Sequence, residues 1–214
     1  RDVPFDLAHG ACAGDTGYFG RVGGLPLDQA ADDGRSLCFD SAVLAEEMTV
    51  FGHAELDVRI IPDKLPAQLT CRLCDVAPDG QSNLIARAVL NLEMDGALDG
   101  PSGATAGEEL TLRMVFPSCA YRLRAGHRLR LAIGSSYWPL LWPAPATSQS
   151  RLVPGGSYLS LPAIPSEAGP LSLPMPEALD LLAEKGWTVS TRGALQRRQA
   201  TITAEGQVES GWHQ

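Results

Sequence analysis

Short segments in which apolar and polar residues alternate recur along this chain of 214 residues, and they constrain the fold more than any other feature. Turn residues separate most of them, and Pro78-Asp79-Gly80 closes a hairpin between two clearly alternating segments. Many short strands at this spacing predict an all-β sandwich. The predicted strands are 36–44, 55–61, 68–75, 83–93, 109–116, 128–135 and 157–163.

The two ends of the chain have a different character. Residues 1–33 are rich in glycine and follow neither a helical nor a strand period, so we expect an irregular lead-in followed by one sandwich domain over residues 34–214. One short helix is predicted near the C-terminus, at 176–185, because Pro176 lies in its first turn and Gly186 follows its end. Two further strands are predicted at 187–191 and 199–203.

The composition narrows the range of partners and compartments. A formal net charge of -8 and a pI near 4.9 disfavour nucleic acid, because binding to phosphates requires a cationic surface. No apolar run approaches the roughly 20 residues that span a bilayer, so no membrane role is expected. An odd number of irregularly spaced cysteines does not fit a secreted disulfide framework and favours a cytoplasmic setting: Cys12, Cys38, Cys71, Cys74 and Cys119.

No motif predicts a catalytic residue or a cofactor in this chain. The G-x-S-x-G string that places a nucleophilic serine in α/β-hydrolases is absent from the sequence. Cys71 and Cys74 form a C-x-x-C string, but positions i and i+3 of a strand face opposite sides of the sheet. We therefore interpret both cysteines as small apolar fillers rather than a redox pair or metal ligands.

One strand carries residue types that also ligate metals. His53, Glu55 and Asp57 alternate with apolar residues and would project from the same strand face, roughly 7 Å apart in successive steps. A solvated polar face has the same signature and is the favoured interpretation. Asp95 and Asp99 offer carboxylates of the kind that calcium prefers, but their spacing matches no known loop motif. No bound metal is predicted.

The stretch from Pro117 to Pro143 holds the candidate contact residues. Arg122, Arg124 and Arg128 lie near the turn at Gly126, in an otherwise acidic protein, and suit either contact with an acidic partner or a solvated hairpin face. Beyond the strand at 128–135, an aromatic loop rich in proline holds Tyr137, Trp138 and Trp142. Three interpretations of these aromatics stay open: burial in the core, an interface with another domain, and stacking against a ligand.

Three strings together resemble a known family: Asp33-Gly-Arg-Ser-Leu-Cys-Phe-Asp-Ser41, Leu73-Cys-Asp-Val-Ala-Pro-Asp-Gly80 and Ala125-Gly-His-Arg-Leu-Arg-Leu-Ala-Ile-Gly-Ser-Ser136. Their order and spacing are similar, over about residues 25–165, to the C-terminal domain of X-Pro dipeptidyl-peptidases and cocaine esterase-type serine hydrolases. The resemblance implies a jelly-roll, galactose-binding-domain-like β-sandwich that packs on an α/β-hydrolase domain. In that family the catalytic residues belong to the hydrolase domain, so none is carried over to this chain.

Two hypotheses about function follow. The first is a non-catalytic accessory domain that braces the catalytic domain of an X-Pro dipeptidyl-peptidase or acyl esterase and helps to form its substrate entrance. The tentative contact residues are then the three aromatics and the three arginines named above. The second is an independent module that binds a carbohydrate or another small ligand through the aromatic loop. Under the first hypothesis the isolated domain would expose an apolar patch and could associate with itself.

Overall fold

The structure is a computed structural model that describes residues 1–14, 24–94 and 103–164, together with the backbone of 197–202 and 208–213. The contacts divide the chain into two compact units, Arg1–Glu167 and Ala168–Gln214. The described part of the first unit contains one helical turn and ten strands, and that of the second unit contains two strands.

The elements of the first unit are, in chain order, α1 (Ala30–Asp33), β1 (Leu37–Asp40), β2 (Met48–Gly52), β3 (Glu55–Ile61), β4 (Gln68–Val76), β5 (Ser82–Asn91), β6 (Leu110–Val115), β7 (Cys119–Leu123), β8 (Arg128–Gly134), β9 (Arg151–Ser160) and β10 (Ala163–Ile164). In the second unit, β11 (Arg197–Ile202) pairs antiparallel with β12 (Val208–His213).

The strands of the first unit form three antiparallel sheets. A four-stranded sheet has the order β1-β8-β4-β5, and two three-stranded sheets have the orders β6-β3-β9 and β10-β2-β7. Sequence neighbours are often not sheet neighbours, since β8 lies between β1 and β4. The chain therefore crosses repeatedly between sheets, and the predicted all-β sandwich is confirmed.

The core lies between the four-stranded sheet and the β6-β3-β9 sheet. Strand β3 shows the alternation expected of a half-buried strand, because Leu56, Val58 and Ile60 are buried and the residues between them are partly exposed. These side chains pack in one cluster with Leu69 and Leu73 of β4. Strand β4 lies between β8 and β5 in its sheet, and almost every one of its residues is buried.

The predicted strand positions agree best where apolar and polar residues alternate most clearly. The prediction at 55–61 matches β3, and those at 68–75 and 128–135 match β4 and β8 to within a residue. The prediction at 36–44 is too long, because β1 ends at Asp40. Strands β2 and β7 were missed. The helix predicted at 176–185 and the strand predicted at 187–191 lie outside the described residues, whereas β11 overlaps the strand predicted at 199–203.

The first fourteen residues run along the sandwich without forming a regular strand. Asp2 forms a single β-bridge with Arg151, and the amide of Val3 donates to the carbonyl of Ser150. Val3, His9 and Ala13 are buried. These contacts anchor the predicted lead-in to the sandwich at the end where β8 terminates.

Candidate interface and polar cleft

A fully buried arginine, Arg72 of β4, organises the polar interior of the first unit. Its Nη2 lies 2.9 Å from Asp33 Oδ1 in an ion pair that lacks the alignment of a hydrogen bond. Its Nη1 donates to Gln29 Oε1 at 2.9 Å and its Nη2 to Ser36 Oγ at 2.9 Å. Arg130 holds the other oxygen of the Asp33 carboxylate at 3.1 Å. The string that begins at Asp33 therefore carries the counter-charge and one polar ligand of a buried cation.

His9 connects the N-terminal segment to this network. Its Nδ1 donates to the carbonyl of Ser136 at 2.6 Å, and its Nε2 lies 3.1 Å from Ser36 Oγ. Burial, and then the positive charge of Arg72, lowers the pKa of His9, so the neutral imidazole is favoured. The ring fits because Gly134 has no side chain: a Cβ atom there would lie 2.6 Å from His9 Nδ1. His9 thus contacts Gly134 and Ser136, the residues that immediately precede the aromatic loop.

The structure separates the three aromatics of the loop. Tyr137 is buried and its ring makes an edge contact with that of His9, with 5.2 Å between the ring centres. Trp138 is 42% exposed and Trp142 is 79% exposed, and their rings contact each other edge to face at 5.4 Å. Tyr137 thus follows the core interpretation, while the two tryptophans are presented at the surface.

The tryptophans form part of a continuous apolar surface. A shallow groove of about 430 Å³ is lined by both rings and by the exposed side chain of Leu7 from the N-terminal segment. We call this the aromatic surface, and its members are Leu7, Trp138, Trp142, Pro143, Ala144 and Pro145. Proline restricts the backbone of the loop, and the edge-to-face contact packs the two rings against each other.

The predicted arginines lie at the other end of β8. Arg122 and Arg124 follow one another on and just after β7, Arg128 begins β8, and all three are exposed. The aromatic loop begins just after Gly134, and six residue steps of a strand span about 20 Å. The arginines and the tryptophans therefore belong to two separate surfaces rather than one.

A polar cleft of about 680 Å³ lies between β7 and the turn that joins β4 to β5. Its floor holds the buried carboxylate of Asp75, which accepts a hydrogen bond from Tyr121 Oη at 2.9 Å and one from His127 Nδ1 at 2.8 Å. Burial and this carboxylate raise the pKa of Tyr121 to about 12, so the hydroxyl keeps its proton. The lining residues are Asp75, Ala77, Pro78, Asp79, Gln81, Asn83, Tyr121, Arg122, Arg124 and His127.

The carboxylate and imidazole of the polar cleft resemble two members of a catalytic triad. No serine, threonine or cysteine is among the described residues that line the cleft, so the histidine has no such nucleophile beside it to activate. The Asp75 and His127 pair is therefore better suited to hold groups in place than to perform nucleophilic chemistry.

Two of the three residues considered as metal ligands around β3 are engaged by neighbours. His53 Nδ1 donates to the carbonyl of Phe116 at 2.9 Å, and Glu55 pairs with Arg113 on β6. No group of three or more potential metal ligands occurs in the part of the chain that the structure describes, and Asp95 and Asp99 lie outside that part.

The two cysteines of the C-x-x-C string are buried and free. Cys71 Sγ contacts Met114 Sδ at 3.7 Å within the core, whereas Cys74 follows a register shift between β4 and β5. Burial raises the pKa of both thiols, that of Cys74 to about 12. They pack as small apolar residues, as the sequence indicates.

Comparison with known proteins shows the family of this chain. The family model described as the X-Pro dipeptidyl-peptidase C-terminal non-catalytic domain matches residues 6–205. The chain belongs to this family. No helix among the described residues is long and apolar enough to cross a membrane.

This chain covers a third or less of the length of each similar protein. The cocaine esterase of Rhodococcus sp. (strain MB1 Bresler) is 26% identical over 118 residues, which cover 53% of this chain and 20% of the esterase. An α-amino acid ester hydrolase superposes with a TM-score of 0.66 at 20% identity, over 77% of this chain and 32% of that protein. An aminopeptidase from a marine sediment Thaumarchaeota archaeon gives 0.63 at 17% identity, over 67% and 28% respectively. The structural likenesses show the shared fold.

Sequence reasoning missed the residues of the buried network around Arg72 and the pairing of Asp75 with His127. His9 and Gln29 lie in the predicted lead-in, and Arg72 reads as the polar face of an amphipathic strand. The signal in the sequence was the position of Arg72 among apolar residues and cysteines. The structure buries both faces of this strand, so its arginine has no solvent-exposed face on which to lie. Likewise, the alternation around Asp75 gave no sign that it would meet His127 across the sheet.

Proposed function

We propose that this chain is the non-catalytic accessory domain of a serine α/β-hydrolase, and that it packs on the catalytic domain through the aromatic surface. Membership of the family supports the accessory role. The observation that carries the proposal is the exposure of Trp142 and Trp138 beside Leu7 on a braced loop. Exposed contiguous aromatics of this kind are enriched at interfaces between proteins and rare on free surfaces.

The catalytic domain is the occupant that best fits this surface. The chain spans 32% of the length of the α-amino acid ester hydrolase and 20% of the cocaine esterase, so most of each relative lies outside the matched part. In the proposed arrangement the sandwich braces the catalytic domain and contributes Trp138 and Trp142 to the wall of its substrate entrance. The parent activity that we propose is that of an X-Pro dipeptidyl-peptidase or an acyl esterase.

Two further features belong to the same proposal. The five cysteines are free, which supports a cytoplasmic setting for the parent. The fold is proposed to be of the galactose-binding-like jelly-roll type, but a sandwich fold alone does not carry sugar binding. An independent carbohydrate module that uses the aromatic loop remains the competing function.

The natural polypeptide that contains this chain provides the test. Hydrogen exchange should show residues 137–145 and the backbone around Leu7 protected in that polypeptide and exchanging faster in the 214-residue chain. Replacing both tryptophans, W138A/W142A, should shorten the half-life of the parent hydrolase at elevated temperature. The matched control F51A/Y158A removes two exposed aromatics that do not line the aromatic surface, and it should leave that half-life unchanged.

Other outcomes would overturn the proposal. Equal exchange in the two forms would show that nothing covers the aromatic surface. Turnover of chromogenic X-Pro amides or short acyl esters by the 214-residue chain, if blocked by a serine-directed inhibitor, would contradict a non-catalytic domain. We expect no turnover, and we expect concentration-dependent association of this chain in analytical ultracentrifugation that W138A/W142A abolishes.

A further inference from the structure

We propose that the polar cleft is a binding site for a small oxyanion, such as a phosphorylated or polycarboxylate metabolite, held by Arg122 and Arg124. This site is distinct from the aromatic surface and lies near the opposite end of β8. It brings together residues from two of the strings by which the family is recognised, since Asp75 belongs to one and His127 to another.

The cleft has the shape of a ligand site. Its volume of about 680 Å³ falls within the range of about 300–1,000 Å³ that is usual for pockets that bind small molecules. It is bounded by the β4–β5 turn on one side and by β7 on the other. Strand β7 is the edge strand of its sheet, and both Tyr121 and Arg122 of this strand line the cleft.

The donors that an anion would need come from the two arginines. The carboxylates of Asp75 and Asp79 keep their negative charge, but both already accept hydrogen bonds within the protein, Asp75 from Tyr121 and His127, and Asp79 Oδ1 from the amide of Gln81 at 3.0 Å. The guanidinium groups of the two arginines, by contrast, form no hydrogen bond or ion pair with any residue that the structure describes. Two guanidinium groups with free donors match the geometry of a phosphate or carboxylate, each of which accepts paired hydrogen bonds.

Asp75 also positions His127, which lines the cleft beside the two arginines. Asp75 is only 4% exposed, and its carboxylate holds the imidazole of His127 through Nδ1. Nε2 of the ring forms no hydrogen bond with any residue that the structure describes. Gln81 and Asn83 add amide groups on the β4–β5 side, so a bound oxyanion would contact polar side chains on two walls.

Titration of the 214-residue chain with inorganic phosphate and, separately, with citrate tests the proposal, with the side-chain NMR signals of His127 as the readout at constant ionic strength. We expect saturable shifts with at least one of these probes. R122Q/R124Q should weaken binding by at least about tenfold, the loss expected when a charge-assisted hydrogen bond is removed. The control R113Q/R151Q removes the same number of charges outside the cleft and should bind as the unaltered chain does.

Each outcome has a defined meaning. Saturation by phosphate alone identifies a phosphorylated ligand, and saturation by citrate alone identifies a polycarboxylate. The absence of saturation with both probes would overturn the site. So would equal weakening in R122Q/R124Q and R113Q/R151Q, because that result would show a general effect of net charge. Backbone amide spectra of both double variants report whether the fold is retained.

Discussion

Removal of the carboxylate at Asp33 should destabilise the first unit more than any loss of a surface ion pair. Arg72 is fully buried, and in D33A its positive charge would keep only the neutral ligands Gln29 and Ser36. Breaking one side of a buried pair typically costs about 3–5 kcal/mol. The double variant D33A/R72M carries no unpaired buried charge at this position, so it should recover at least about 2 kcal/mol relative to the sum of the two single changes.

Urea unfolding of the 214-residue chain, followed by near-ultraviolet circular dichroism, measures these differences. With a slope of about 2 kcal/mol/M, the expected loss in D33A lowers the midpoint by roughly 2 M. The control E109Q breaks the partly exposed pair with Arg59, whose side chains are 35% and 36% exposed, and should cost less than about 1 kcal/mol. The reasoning is refuted if D33A costs no more than E109Q, or if R72M brings no recovery. If D33A does not fold at all, the test is whether the double variant D33A/R72M folds: the reasoning predicts that it does.

Three smaller predictions concern the same end of the sandwich and its cysteines. G134A should cost about 1–3 kcal/mol because its Cβ meets the His9 ring, whereas G155A, which has no neighbour within 4 Å, should not; thermal unfolding compares the two. The pKa of His9 is lowered in the folded state, so the folded chain binds fewer protons than the unfolded chain, and stability should fall as the pH drops below about 6.5; H9Q should flatten this pH dependence in urea titrations. Cys71 and Cys74 should resist iodoacetamide at pH 8 until the chain is unfolded, as mass spectrometry of the labelled peptides would show; labelling of both in the native chain would contradict their burial.

The alternation of apolar and polar residues was sufficient to predict the sandwich because its clearest strands lie half-buried. Strand β3 exposes one face and was located to the residue. The short strand β2 carries the exposed Phe51 beside the buried Val50, and β7 has only five residues and begins two residues after Pro117, so neither gives a strong pattern in the sequence. Strands that are stabilised mainly by neighbouring strands show only a weak strand propensity in their own sequence.

The candidate sites were predictable only as residue types. The sequence indicated that the tryptophans and arginines are unusual, but the interpretation of the aromatics stayed divided until burial separated Tyr137 from Trp138 and Trp142. The polar cleft depends on Asp75 and His127 meeting across more than fifty residues of chain. Pairing at such separations is set by the order of strands in the sheets, which no local pattern in the sequence specifies.

The placement of the two surfaces near opposite ends of β8 makes their functions separable. The strand pairs with β1 and β4 along its length, so it acts as a stiff spacer of about 20 Å between them. Substitutions this far apart, with no shared partner, usually have additive effects. The double variant W138A/W142A should therefore abolish self-association and leave phosphate or citrate binding unchanged, while R122Q/R124Q should do the reverse. A loss of oxyanion binding in W138A/W142A, measured by the same His127 signals, would show that the two ends of the strand are coupled and that the rigid-spacer description is wrong.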